Sequence, residues 1–146
     1  MERRRFLLLA GGALLAGCGK KGNCPEGMAE IKWDRDTCVR CNMVISDPRF
    51  AAELRGGEKD TAFKFDDIGC VAFWLKAQPW GAAAARIWVA DAGSRGNEVQ
   101  WLDARKAQYL GGKSSPMGYN FAAVRDAVSG GLTFDEMQAQ ILSKGK

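Results

Sequence analysis

Between Asp60 and Phe65, Thr61, Phe63 and Phe65 alternate with Ala62 and Lys64, and this period of two predicts a strand. Arg49 to Arg55 reads as its partner, and Gly56-Gly57 marks the hairpin turn between them. The period then lengthens. Ile68, Val71, Ala72 and Leu75 recur at helical spacing behind Asp66, a suitable N-cap, so a helix is expected from there to about Lys76, stopped by Gln78-Pro79. Beyond an alanine-rich connection, Arg86 to Asp91 returns to strand alternation, and Val99 to Leu102 and Ala107 to Leu110 predict two further short strands. Phe121, Val124 and Val128 form a stripe that predicts a second helix opening after Asn120 and closing at Gly130-Gly131. A last helix is signalled by Thr133 and Glu136 at capping-box spacing, with Leu132 and Met137 placed to staple its start. Two successive units of the strand-strand-helix-strand or strand-helix kind emerge, without a convincing sequence repeat.

The first eighteen residues follow another pattern. Arg3, Arg4 and Arg5 precede an apolar run from Phe6 to Ala16, which is an export signal. The run is shorter than the roughly 20 residues a membrane-spanning helix requires. It ends at Leu15-Ala16-Gly17-Cys18, which resembles the bacterial lipobox; Cys18 would be acylated and become the first mature residue. A plain disulfide at Cys18 is the alternative. Residues 1–17 are thus expected as signal peptide and residues 18–30 as a lipidated flexible tether, since Gly19, Lys20, Lys21, Gly22, Asn23 and Pro25 show no hydrophobic periodicity. The folded domain is expected over residues 31–146. The expected location is the cell envelope, facing the periplasm, on the outer membrane if the cell has one. The Arg3-Arg4-Arg5-Phe6-Leu7 segment also resembles a twin-arginine signal, so the export route stays open.

Loss of Glu2 and the three arginines lowers the formal net charge from +4 to +2, and without basic clusters this excess gives no argument for nucleic acid. The chain contains no histidine. That excludes Ser-His and Cys-His catalysis, imidazole-based zinc sites and C-x-x-C-H haem attachment. A metal must therefore be held by cysteine, methionine, carboxylate or backbone.

The densest chemistry is Cys38-Val39-Arg40-Cys41-Asn42-Met43, two thiols and a thioether on a short, non-helical segment. Such soft donors favour Cu(I) over ions that prefer oxygen. A bare C-x-x-C is also compatible with a redox pair, an ordinary disulfide or half of a zinc site. Asp66 and Asp67 could be taken for an acid/base pair, but their place before a helix makes capping the simpler account.

At this point the chain resembles the NosL copper lipoproteins, accessory factors of nitrous-oxide reductase. The resemblance rests on Cys18, on Cys41-Asn42-Met43-Val44-Ile45, on Phe65-Asp66-Asp67-Ile68-Gly69-Cys70, on Ile87-Trp88-Val89-Ala90-Asp91 and on Ser115-Pro116-Met117-Gly118. It implies an α+β fold of two small ββαβ lobes packed as one unit. It implies a non-enzymatic, membrane-anchored Cu(I) carrier that works with a membrane transporter complex to supply the reductase, with Cys41 and Met117 as ligands and Met43 as a further candidate. Met117, between Pro116 and Gly118, is expected in a turn from which a long side chain projects. Val44 and Ile45 could instead draw Met43 into a core strand. Cys38 is ranked as a third sulfur ligand ahead of a disulfide partner or spectator. Cys70 is expected to be structural, Met137 core and Met28 solvated. A thiol-disulfide oxidoreductase using Cys38 and Cys41, and a metal-free structural lipoprotein, are the alternatives. The sequence leaves homo-oligomerisation open.

Overall fold

The computed structural model describes residues 24–95 and 98–145. The export signal, the lipobox and Cys18 lie outside the described residues. The predicted hairpin is present: β1 (Ala52–Gly56) and β2 (Thr61–Phe65) pair antiparallel with Ala52 opposite Phe65. Gly57 and Asp60, both at positive φ, bound the turn, where glycine carries no Cβ penalty and a short polar side chain is tolerated. Strand β1 starts later than expected because Pro48 to Phe50 form a turn in which the Asp47 carboxylate accepts from the Arg49 N–H and guanidinium.

Helix α1 (Ile68–Lys76) follows, then a single 3-10 turn at Ala82–Ala84, β3 (Arg86–Ala90) and β4 (Trp101–Asp103). The four strands form one antiparallel sheet in the order β2-β1-β3-β4. Its register places Leu54, Phe65, Ile87, Val89 and Leu102 in the main core, where α1 adds Ile68, Val71, Ala72 and Leu75. Each large aliphatic buried this way contributes about 1.5–3 kcal/mol.

The opposite face is covered by the segment leading into the cysteines. Ile31, Ile45 and Ala51 pack there with Met28, Trp33 and Trp101, the two indoles stacked at 6.4 Å. The Ala29 N–H donates to Glu53 Oε1 at 2.7 Å, and Lys64 Nζ donates to the Glu30 carbonyl and to Asp36 Oδ2, each at 2.6 Å. Packed chain therefore begins upstream of Ile31, and Met28, expected to be solvated, is half-buried.

The second unit is β5 (Gln108–Leu110), β6 (Ala122–Val124) and α2 (Phe134–Lys144). Here one expectation fails, because residues 121–131 form β6 and turns rather than a helix. Buried peptide groups of β5 need partners. Ala122–Val124 supplies them on one side, while Leu132 exchanges both backbone bonds with Tyr109. Phe121, Ala122 and Ala123 are consecutively buried, whereas Val128, assigned to the apolar stripe, is exposed. Gly130, at φ 76°, serves a turn instead of a helix cap. The α+β class holds, with a ββαβ unit from β1, β2, α1 and β3. The second unit is reduced to β5, β6 and α2, β4 having joined the first sheet. The α2 capping box between Thr133 and Glu136 is complete, Met137 is buried in the main core, and Leu132 packs against that core.

Candidate metal centre

The C-x-x-C segment is the tip of a tight loop. Thr37 and Val44 form an antiparallel bridge at its base, the Cys38 N–H donates to the Met43 carbonyl at 2.8 Å, and the Asn42 N–H donates to the Cys38 carbonyl at 2.9 Å. Asn42 sits in the left-handed region at φ 62°, a conformation asparagine tolerates better than most residues. The Val39 N–H bonds the Lys64 carbonyl and pins the loop to β2.

This loop meets the start of α1. Sγ of Cys38, Cys41 and Cys70 and a carboxylate oxygen of Asp66 all lie within 4.8 Å of one another. Cys38, Cys70 and Asp66 are buried, while Cys41 is half-buried and forms the outward corner. All three thiols are free, and Cys41 Sγ donates to the two Asp66 oxygens at 3.3 and 3.4 Å.

Two expectations are corrected by this placement. Cys70, read as structural, belongs to the sulfur cluster. It lies off the apolar stripe of α1, in the helix's first turn, and is buried; its spacing in the sequence gives no signal of that placement. Asp66, read as the N-cap, faces Cys41, and the cap is Asp67. Asp67 Oδ1 accepts from the Gly69 N–H at 3.0 Å, and its Oδ2 accepts from the Ser115 hydroxyl at 2.6 Å and the Met117 N–H at 3.1 Å. One carboxylate thereby caps α1 and fixes the turn that carries Met117.

Met117 is half-buried and packs against the main core, whereas Met43 is 43 % exposed and was not drawn into a core strand. Met137 is buried, as expected. The Tyr119 ring lies on the helix start at Gly69, which leaves no space for a Cβ. Its hydroxyl accepts from Arg40 Nη1 at 2.8 Å, and the Arg40 guanidinium stands 4.6 Å from the Phe73 ring centre.

The thiols are electrostatically unequal. The hydrogen bond from the Cys70 thiol, assisted by N–H groups of Cys41, Asp66 and Arg40, outweighs burial and lowers Cys38 to about 6. Burial, with Cys38 and Asp66 alongside, raises Cys41 to about 12 against the pull of the Met43 N–H. Donation to Cys38, then burial, raises Cys70. Burial also raises Asp67, opposed by its three donors. Near neutral pH the apo site thus favours one thiolate, Cys38, with neutral thiols around it. Full thiolate ligation of a metal must expel further protons.

Comparison with known proteins adds context. The sequence model of the NosL family matches residues 30–129. No curated protein sequence matches the chain. The crystal structure of the copper chaperone NosL from Shewanella denitrificans shares the fold with a TM-score of 0.53 at 17 % identity, over 82 % of this chain and 89 % of that one.

Proposed function

Because the chain belongs to the NosL family, we propose that it is a Cu(I) carrier of the cell envelope, anchored through a lipid on Cys18, that supplies copper to nitrous-oxide reductase together with the reductase's membrane transporter complex. The observation that carries the copper reading is the convergence of three free thiols on one corner of the fold, with Cys41 at its opening. Cys41 is the principal ligand of the cargo ion, with Met117, Met43 and Cys38 as the other donors. Soft sulfur donors in the absence of any histidine favour Cu(I). The name of the Shewanella denitrificans protein, a copper chaperone, supports the same reading.

A carrier is favoured over a thiol-disulfide oxidoreductase by access. Cys38 has the lowered pKa that such chemistry uses. Its sulfur is nevertheless buried, so a substrate disulfide could not reach it in line. Among the described residues no helix is long and apolar enough to cross a membrane.

The delivery role is tested in a deletion strain. Reductase purified from it should contain less copper per polypeptide, wild-type protein should restore the content, and Cys41→Ser should not. Full copper content without the protein would end the proposal. For the anchor, alkyne-palmitate label on the wild type should disappear in Cys18→Ala.

A further inference from the structure

The geometry points to an inner station for the cargo ion, formed by Sγ of Cys38, Cys41 and Cys70, which shares Cys41 with the outer donor set proposed above, Cys41 with Met43 and Met117. This deepens the Cu(I) reading above and rests on it.

The inner station follows from the packing. Cys38 is presented by the loop and Cys70 by the first turn of α1; both are fully buried, and with Cys41 they bring three sulfurs within 4.8 Å of one another. Three thiolates around Cu(I) carry a net charge of −2, and the fold places positive charge beside them. Cys70 itself lies in the first turn of α1, at the positive end of the helix dipole. The Arg40 guanidinium is held near Phe73 and Tyr119 and interacts with Cys70. Asp66 accepts from Cys41 only while that thiol keeps its proton, and its hard oxygen is a poor match for Cu(I).

An ion held only there would be secure but hard to release. Exchange between proteins requires a donor of the receiving protein to enter the metal's coordination sphere, and Cys38 and Cys70 offer no open approach. Cys41 is half-buried, and the Met43 N–H bonds its sulfur while the Met43 side chain is 43 % exposed. Met117 is half-buried at the edge of the main core, in a turn fixed by Asp67. Outward movement keeps the Cu(I)–Cys41 bond, breaks the bonds to Cys38 and Cys70, and forms bonds to the two thioether sulfurs. The oxidation state does not change. A proton from solvent returns to Cys70, which again donates to the Cys38 thiolate, and neutral thioethers replace the two thiolates at the metal. The outer complex is therefore weaker and more accessible.

The test uses full-length protein in detergent, labelled with selenomethionine and loaded anaerobically with one equivalent of Cu(I). X-ray absorption at the copper edge should count three sulfur neighbours, and the selenium edge should show no copper neighbour. In Cys70→Ala, a copper–selenium distance should appear and affinity should fall about tenfold or more. Thermal melting by circular dichroism establishes that the variant is folded. Should it fail to fold, the two absorption edges of the unsubstituted protein decide. A copper–selenium distance in the unsubstituted protein at one equivalent, or unchanged affinity and sulfur count in folded Cys70→Ala, would overturn the inner station and leave the carrier reading intact. Failure of the unsubstituted protein to bind Cu(I) at all would instead overturn the carrier reading.

Discussion

The floor of the metal centre and its lip are built on opposite principles. On the floor, Cys38, Cys70 and Asp66 are buried, and neighbouring Asp67 uses both carboxylate oxygens to fasten α1 to the Met117 turn. At the lip, Val39, Met43 and Val44 are 41, 43 and 48 % exposed, three of the four exposed large hydrophobic residues among those described. A carrier must hold an ion without losing it and also give it up. Dividing the site into a rigid buried part and an open sulfur-bearing edge meets both demands, with Cys41 common to the two.

If this contrast is sound, changes on the floor should cost far more than changes at the lip. The largest stability effect is expected for Asp67→Ala, which removes the α1 cap and leaves the Ser115 hydroxyl and Met117 N–H without their acceptor. Loss of about 3 kcal/mol should appear in chemical denaturation of the reduced apo protein. A loss under about 1 kcal/mol would show that the turn does not depend on this carboxylate.

Glu53, behind the loop, should give the next largest effect. Burial raises its carboxyl from 4.5 to about 7, against the Ala29 N–H, Lys64 and Arg55. A carboxyl whose pKa is raised on folding binds its proton more tightly in the native state, so its contribution is fully present below about 4.5 and is lost as pH rises through about 7. The difference in stability between wild type and Glu53→Gln should therefore change by on the order of 2 kcal/mol across that window. A constant difference would contradict the buried placement.

The smallest effect belongs to the lip. Met43→Leu should alter apo stability by less than about 0.5 kcal/mol, since its side chain is largely in solvent. Transfer of Cu(I) to a competing chelator, followed by stopped flow, should nevertheless slow. A stability loss comparable to that of Asp67→Ala would mean that no such division exists.

Legibility in the sequence followed the range of the interactions. The β1-β2 hairpin, the apolar stripe of α1 and the α2 capping box are set by residues close in sequence, and all were readable there. Residues 121–131 were misread because β6 is selected by the buried edge of β5, a long-range demand that overrides a three-residue stripe. The site divided in the same way. Cys38 and Cys41 announced themselves by proximity. The joining of Asp66 and Cys70 to them depends on the loop folding over the start of α1, which spacing alone does not reveal. The two adjacent aspartates illustrate the limit: both read as caps, yet only Asp67 caps, and Asp66 faces a thiol.

The most direct test of the central claim is an anaerobic titration of the reduced protein with Cu(I) against a chromogenic competitor, repeated with Cys41→Ser. The account predicts one tightly bound Cu(I) per monomer in the wild type and an affinity lower by at least about 100-fold, ~2.7 kcal/mol, in the variant. Equal affinities, or no competition by the wild-type protein, would contradict it.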